Sequence, residues 1–512
     1  MSDDRLRREA TQAGAALVDA AARYVVRISA RDDGRVVAIQ DGVLSIRGLP
    51  GVGYEEVVRV GDGHRALVLG LRPSVVQAAA LDPVSLMHEG DQVRSTGARA
   101  TVPVGEALLG RVIDPLGRPL DGAPLPGTLR HMPMERSAPP IHARAAVHRP
   151  LYTGTLAVDA MFPIGRGQRE LILGDEGTGK TSLALSAMLR QRVDDVTSVY
   201  VAIGRRRADV WRMVEALKKG GGRWIIVAAF EDASPALRTL APYAGTSVAE
   251  HFRDHGEHAL VVYDELTAHA VAWRELCLLL GRPPGREAYP GDVFYLHSRL
   301  LERSTQLNSD LGAGSLTALP IATTEDGRLS AYVPTNLIAI TDGQLVLSRT
   351  LFVAGERPAI DAGLSVSRVG GKAQAQAFRR LAGKLRLDYA AFLELESFSR
   401  VGTRLEATAR LRLDLGRRLR ILLRAPRLET LGIFDELARL ALASRGDVLM
   451  RIPEDAVQAF AATLPDALRA QDAPLAGRLD AEAALSDVDE VRLGQLIDAM
   501  VSARFGGATS HG

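Results

Sequence analysis

The feature that most constrains the fold of this chain is a glycine-rich motif of eight residues in its first half. The motif follows the apolar segment 171–173, precedes the helical stretch 182–190, and matches the pattern G-x-x-x-x-G-K-[ST]. Its residues are Gly174, Asp175, Glu176, Gly177, Thr178, Gly179, Lys180 and Thr181. This context predicts a strand, a phosphate-binding loop and a helix, which belong to an α/β domain. A glycine turn that only joins a strand to a helix is the alternative.

The residue types in this motif suit the binding of nucleotide phosphates. Glycines allow backbone N–H groups to approach phosphate oxygens, and the start of the following helix adds a positive dipole end. Lys180 is expected to neutralise the β- and γ-phosphates, and the Thr181 hydroxyl is expected to bind Mg²⁺ directly. Only five of the 63 basic residues are lysines. A lysine at position 180 therefore indicates a specific need for a compact charge.

A second magnesium residue is expected at the end of a neighbouring strand. Asp264 follows the apolar segment 259–263 and is predicted to hold the water shell of the metal. An aspartate in this position can also be a helix cap or a turn residue. Glu265 comes next, and a glutamate there can act as the hydrolytic base in some ATPases.

Composition excludes several classes of protein. A chain of 512 residues predicts three or four domains. The formal net charge of +2 is too small for a protein whose main partner is bulk nucleic acid or anionic lipid. Cys277 is the single cysteine, which rules out an intrachain disulfide and fits a reducing compartment. The acidic N-terminus and the lack of any apolar stretch of ~20 residues predict a chain that is neither secreted nor membrane-spanning.

Hydrophobic periodicity divides the chain into four parts. Residues 1–25 have apolar residues at helical spacing, which predicts an amphipathic helix that packs on its own domain or docks to a partner. Residues 26–97 predict a small antiparallel β-barrel, because short apolar segments alternate with glycine turns. Residues 98–380 predict the α/β domain, with parallel strands at 171–173, 199–203, 225–229, 259–263 and 337–340. Residues 381–512 predict a helical domain.

Four further stretches carry a family resemblance: residues 163–171, 282–303, 314–320 and 363–370. Over residues from about 26 to 400 the chain resembles the alpha subunits of F-type rotary ATP synthases. This resemblance implies a β-barrel crown, a RecA-like nucleotide domain that binds ATP or ADP with Mg²⁺, and a helical C-terminal domain. It also implies a hexameric ring in which this chain alternates with beta subunits around a gamma-type rotor stalk.

The same resemblance implies a peripheral location at the cytoplasmic face of the inner membrane. Contact with the membrane would be made only through the ion-translocating sector, which carries H⁺ or Na⁺, and a peripheral-stalk subunit would meet the N-terminal helix. No nucleic-acid partner is expected.

The resemblance also bears on catalysis. Catalytic relatives have a glutamate straight after the glycine that ends the second strand, whereas this chain has Arg205 after Gly204. An arginine cannot accept a proton at physiological pH, so this site is expected to be non-catalytic. Typical alpha subunits have glutamine there, which also cannot act as a base. Glu265 stays open as a substitute base.

Two further pairs of site residues follow from the resemblance. Arg368 is expected to reach the γ-phosphate held by the neighbouring beta subunit, and Ser365 is expected to support it. Arg357 and Pro358 are expected to contact the adenine. The chain departs from the usual alpha pattern at several positions, which puts base affinity and nucleotide exchange in question and suggests a divergent, second-copy ATP synthase; these are Glu176, Gly177, Ala339, Ala425 and Arg427.

Two other functions are alternatives to this one. A hexameric ATPase that drives protein export would need its own base, and Arg205 counts against it. A nucleic-acid translocase of the termination-factor kind would need stacking aromatics, yet aromatic residues are only 5% of the chain. The arginine-rich run 410–420 fits a solvated amphipathic helix better than a nucleic-acid patch, because its leucines recur at regular intervals.

Overall fold

We describe the protein from a computed structural model, which covers residues 33–194, 196–399, 406–482 and 484–505. The helix predicted for residues 1–25 lies outside the described residues. Within them, no helix has both the length and the apolar character that crossing a bilayer requires.

The first domain is a closed six-stranded barrel, which confirms the predicted fold of this region. Its strands pair in the order β1-β2-β5-β4-β3-β6, all antiparallel, so that no sheet edge is left open. Val58, Val60 and Val93 are fully buried inside it. The strands are β1 (Asp33–Gln40), β2 (Val43–Gly48), β3 (Val57–Val60), β4 (His64–Leu71), β5 (Val76–Ala80) and β6 (Gln92–Arg94).

The central domain is built on an eight-stranded sheet, and the predicted α/β fold is confirmed. The order is β18-β17-β12-β16-β15-β13-β14-β8, and every pair is parallel except the last strand, β18, against β17. The strands of this domain are β7 (Thr101–Val104), β8 (Val112–Ile113), β9 (Arg130–Pro133), β10 (Pro150–Leu151), β11 (Ile164–Gly165), β12 (Glu170–Gly174), β13 (Thr197–Arg205), β14 (Trp224–Phe230), β15 (His258–Asp264), β16 (Ser315–Thr323), β17 (Gly343–Leu347) and β18 (Val366–Ser367).

Helices cover both faces of this sheet. Along β13, Tyr200 and Ala202 face one core, and Val199, Val201 and Ile203 face the other. The helices are α1 (Leu156–Met161), α2 (Lys180–Asp194), α3 (Arg207–Gly220), α4 (Pro235–Asp254), α5 (Leu266–Leu279), α6 (Val293–Leu301), α7 (Tyr332–Ile340), α8 (Arg349–Val353) and α9 (Gly370–Ala373). Helices α2 and α3 pack on the first face, and α4 and α5 pack on the second.

One predicted strand is wrong. Residues 337–340 form the last turn of α7, and the strand of this region is β17, three residues further on. A short apolar run cannot be assigned to a strand or a buried helix by periodicity alone. In the structure Val333 and Leu337 are buried four residues apart, whereas Ala339 is exposed, as on one face of a helix.

The C-terminal part is helical, as predicted. Its helices share one hydrophobic core with the nearer face of the central sheet, so Phe434 and Leu437 belong to the same cluster as Leu183. The arginine-rich run lies on α12, which buries Leu413, Leu419 and Leu422 and is therefore amphipathic. The helices are α10 (Gln376–Ala382), α11 (Leu385–Ser399), α12 (Ala407–Leu423), α13 (Ile433–Ala443), α14 (Gly446–Leu449), α15 (Val457–Gln471), α16 (Ala473–Glu482) and α17 (Asp487–Phe505).

Candidate functional site

The glycine-rich motif connects the end of β12 to the start of α2 at the carboxyl edge of the central sheet. Gly177 and Gly179 have φ values of 78° and 98°, a left-handed backbone that favours glycine. The side chain of Asp175 connects the loop to the segment after β16, because it accepts hydrogen bonds from Thr324 Oγ1 at 2.7 Å and from Gly327 N at 2.9 Å. Thr178 Oγ1 donates to the carbonyl of Asp175 at 2.8 Å. Within this loop the Glu176 side chain is exposed.

Lys180 is oriented by the loop that contains it. Its ammonium group donates to the carbonyl oxygens of Gly174 at 2.7 Å and Asp175 at 2.9 Å, and the residue is only 7% exposed. Burial lowers the pKa of Lys180, and the nearby carboxylates of Glu265 and Asp264 oppose that shift. The lysine therefore presents a fixed cation at the start of α2.

The two predicted magnesium residues are brought into contact. Thr181 Oγ1 donates to Asp264 Oδ2 at 2.8 Å, and the hydroxyl of Tyr200 donates to the same oxygen at 2.5 Å. The other oxygen, Asp264 Oδ1, is buried and has no hydrogen-bond partner among the described residues. A hydroxyl and a carboxylate are oxygen donors of the kind through which proteins bind Mg²⁺ together with water and phosphate. The residues present therefore fit a magnesium ion.

Arg205 and Glu265 lie beside this pair. Arg205 Nη2 is 3.4 Å from Thr181 Oγ1 and 3.7 Å from Asp264 Oδ2. Burial lowers the pKa of Arg205, but Asp264 and other nearby acidic groups together raise it by more, so the net shift of the pKa is upward. Glu265 accepts a hydrogen bond from Thr323 Oγ1 at 2.6 Å. Burial raises the pKa of Glu265 despite that hydrogen bond.

The phosphate loop opens into a cavity of about 940 Å³. Residues of the C-terminal part, 424–428, form its far wall, and Arg357 and Pro358 lie on the same side. The backbone N–H of Ala425 donates to the carbonyl of Arg357 at 2.8 Å, which holds the two segments together. The Arg357 guanidinium stacks 3.5 Å from the centre of the Phe352 ring. The cavity is of the size that encloses a ligand such as a nucleotide.

The structure places Arg368 and Ser365 elsewhere. Strand β18 pairs with the start of β17, whereas the phosphate loop follows the ends of the parallel strands, so the two sites lie at opposite edges of the sheet. Arg368 is exposed, and its Nη1 donates to the carbonyl of Thr341 at 3.1 Å. Ser365 is fully buried and its Oγ accepts a hydrogen bond from Val346 N at 2.9 Å.

Two residues of the site were missed by reasoning from the sequence. Tyr200 lies within the apolar strand β13 and Thr323 ends β16, and each donates a hydrogen bond to an acidic residue of the site. No local motif marks them, because a buried parallel strand lacks the alternation that would identify which side chains face the site.

This fold and this site define a protein with a phosphate loop on an α/β sheet, flanked by a β-barrel and a helical domain that closes the cavity. Residues 154–367 match the family model described as the ATP synthase alpha/beta family, nucleotide-binding domain. Residues 374–500 match the ATP synthase alpha/beta chain, C terminal domain.

The chain is similar to curated relatives over most of its length. It is 51% identical over 467 residues to ATP synthase subunit alpha 2 of Burkholderia thailandensis, which is 91% of this chain and 84% of the relative. It is 53% identical over 417 residues to ATP synthase subunit alpha 2 of Cereibacter sphaeroides, or 81% of this chain and 84% of the relative. ATP synthase subunit alpha 1 of Paraburkholderia xenovorans is 52% identical over 415 residues, or 81% of each chain. The chain belongs to the ATP synthase alpha/beta family, as an F-type alpha subunit, and the predicted resemblance is confirmed.

Proposed function

We propose that this chain binds ATP or ADP with Mg²⁺ without hydrolysing it, and that Arg368 completes the catalytic site of a neighbouring beta subunit. The observation that carries the non-catalytic part is the position of Arg205. Its guanidinium lies beside Asp264, where a catalytic site would need a group that accepts a proton from water.

The residues for nucleotide binding are the phosphate loop, the magnesium pair and the cavity wall. Backbone N–H groups of residues 174–179 and the Lys180 ammonium would hold the phosphates. Thr181 would hold Mg²⁺ directly and Asp264 would hold it through water, and the bound ion would supply further positive charge to the phosphates. Arg357 and Pro358 would contact the base. Ala425 and Arg427 line the same cavity in place of the glutamines of typical alpha subunits.

The second part of the proposal concerns the edge of the sheet opposite the phosphate loop. Arg368 is exposed there, and its backbone is held because Arg368 N donates to the carbonyl of Asp342 at 3.0 Å. Ser365, three residues earlier, ties the same segment to β17 through Val346 N. A guanidinium on a braced segment can reach a γ-phosphate in an adjoining subunit and stabilise charge during phosphoryl transfer.

The proposed setting is an ion-translocating ATP synthase. Three beta subunits would alternate with three copies of this chain around a gamma-type rotor stalk, with a peripheral stalk at the N-terminal segment. The complex would lie at the cytoplasmic face of the inner membrane. It would couple ATP synthesis to the transport of H⁺ or Na⁺ through its membrane sector. The similarity of this chain to ATP synthase alpha subunits supports this setting.

The non-catalytic claim is tested by steady-state ATP hydrolysis with the purified chain. We expect almost no turnover, because Arg205 cannot act as a base and Glu265 is engaged by Thr323. Rapid hydrolysis that disappears in Glu265→Gln would overturn the claim.

The role of Arg368 is tested in the assembled complex with its beta subunits. Arg368→Ala should lower turnover by ~10³-fold or more while leaving assembly intact, the scale of an arginine finger. Arg212→Ala is the matched control, because Arg212 is an exposed arginine whose partner is Asp209 on the same helix. Unchanged turnover in Arg368→Ala would remove the proposed role.

A further inference from the structure

The immediate surroundings of the predicted magnesium residues contain a fixed cation of the chain itself. Arg205 Nη2 is within 3.4 Å of Thr181 Oγ1 and 3.7 Å of Asp264 Oδ2. The Asp264 side chain is 1% exposed and that of Arg205 is 31% exposed, so their attraction is only partly screened by water. The guanidinium therefore sits against both groups that would hold a metal.

Local backbone structure directs Arg205 to this place. Gly204 has a φ of 67°, and the pairing of β13 with β14 shifts register between Ile203 and Arg205. On the other side of β13, Ala202 pairs with Asp264. This irregularity at the strand end brings the Arg205 side chain over the carboxyl edge of the sheet, towards the start of α2.

Cations and carboxylates of the chain itself interact with one another across the site. Two cations, Lys180 and Arg205, lie among two carboxylates, Asp264 and Glu265, and each cation interacts electrostatically with both carboxylates. Asp264 is further satisfied at Oδ2 by the hydroxyls of Thr181 and Tyr200. A divalent ion would have to enter next to a guanidinium and compete with it for Thr181 Oγ1 and for the water-mediated contact to Asp264.

We propose that Arg205 is a built-in cation that takes over part of the role of magnesium, so that this site binds ADP or ATP with little dependence on Mg²⁺. This inference rests on the proposed nucleotide binding and describes how that site is controlled. A guanidinium offers several N–H donors in a planar fork, which matches the oxygens of a phosphate group. Glutamine at the same position would carry no charge and would leave Asp264 to a metal.

The experiment is an equilibrium titration of the full-length chain with ADP and with ATP, by isothermal calorimetry, in magnesium buffer and in excess EDTA. For the wild-type chain we expect the Kd to change by less than about threefold between the two buffers. In Arg205→Gln, removal of the competing charge should make Mg²⁺ tighten binding by about tenfold or more. Arg205→Lys, which keeps the charge, should retain the wild-type behaviour.

Arg206→Gln is the matched control, because the Arg206 side chain is 77% exposed and pairs with Glu231 at 3.8 Å. It should bind as the wild-type chain does. Equal, strong magnesium dependence in the wild-type chain and in Arg205→Gln would overturn this inference while leaving the proposed nucleotide site in place. If the folded wild-type chain binds neither nucleotide in either buffer, both this inference and the proposed nucleotide binding would be overturned.

Discussion

A pair of buried carboxyl groups between the central sheet domain and the C-terminal helices predicts a specific dependence of stability on pH. Asp159 lies on α1 and is 4% exposed, and Glu436 lies on α13 and is 1% exposed. Asp159 accepts hydrogen bonds from the backbone N–H groups of Thr153 and Gly154. Glu436 Oε1 is buried without a hydrogen-bond partner among the described residues.

The pKa values of both groups are raised. Burial raises the pKa of Asp159 to about 6, against the hydrogen bonds that it accepts. Burial and the neighbouring Asp159 raise the pKa of Glu436 well above its ordinary value, although Arg190 and Arg439 oppose this. The folded protein therefore keeps protons on this pair at pH values where the unfolded chain has released them.

The sign of the effect follows from linkage. A carboxyl group with a raised pKa contributes its full stability below its unfolded pKa and loses it as the pH rises through the folded value. For Asp159, a shift from 3.8 to about 6 corresponds to about 3 kcal/mol, lost between pH 4 and 6. For Glu436 the loss of stability begins near pH 4.5, its ordinary pKa, and continues as the pH rises.

The perturbation is Glu436→Gln, which keeps the shape of the side chain and removes its titration. Wherever the folded state holds one extra proton, stability falls by about 1.4 kcal/mol per pH unit. From pH 5.5 to 7.0 the wild-type chain should therefore lose up to about 2 kcal/mol on account of Glu436, and the variant should lose correspondingly less. The variant should also be the more stable of the two at pH 7.

The assay is urea unfolding followed by far-ultraviolet circular dichroism at several pH values in this range. Glu454→Gln is the control, because Glu454 is exposed in the same helical domain, and its pH dependence should match that of the wild-type chain. Parallel stability curves for the wild-type chain and Glu436→Gln would refute the reasoning, as would a variant that is less stable at pH 7.

Two other substitutions test the site and its scaffold. Lys180→Ala removes a charged donor from the phosphate loop and should weaken ATP binding at least about 30-fold by calorimetric titration, whereas Lys218→Ala, an exposed lysine of α3, should not. Arg303→Met should lower the free energy of unfolding by about 3 kcal/mol in urea, because it removes the arginine that contacts both oxygens of the buried Glu250 and leaves only Arg136 at 2.8 Å and Arg253 at 3.3 Å among the described ion pairs of Glu250. A loss below about 0.5 kcal/mol would contradict the importance of that ion pair.

The features that depend only on neighbouring residues were predictable from the sequence. The phosphate-binding motif was recognisable because its glycines and its lysine are contiguous and act within one short loop between a strand and a helix. Alternation in the barrel and helical spacing in the C-terminal part likewise report local geometry, and the barrel and the helices are present as predicted. The contiguous stretches around the motif were enough to predict membership in the alpha-subunit family.

Contacts between residues that are distant in the sequence were visible only in the folded chain. The apolar run 337–340, predicted as a strand, is the last turn of helix α7, because only packing distinguishes a buried helix turn from a buried strand. The contacts of Tyr200 and Arg205 with Asp264 join residues about sixty positions apart, across the pairing of β13 with β15. The separation of Arg368 from the phosphate loop has the same cause: parallel strands put their beginnings and ends on opposite edges of one sheet.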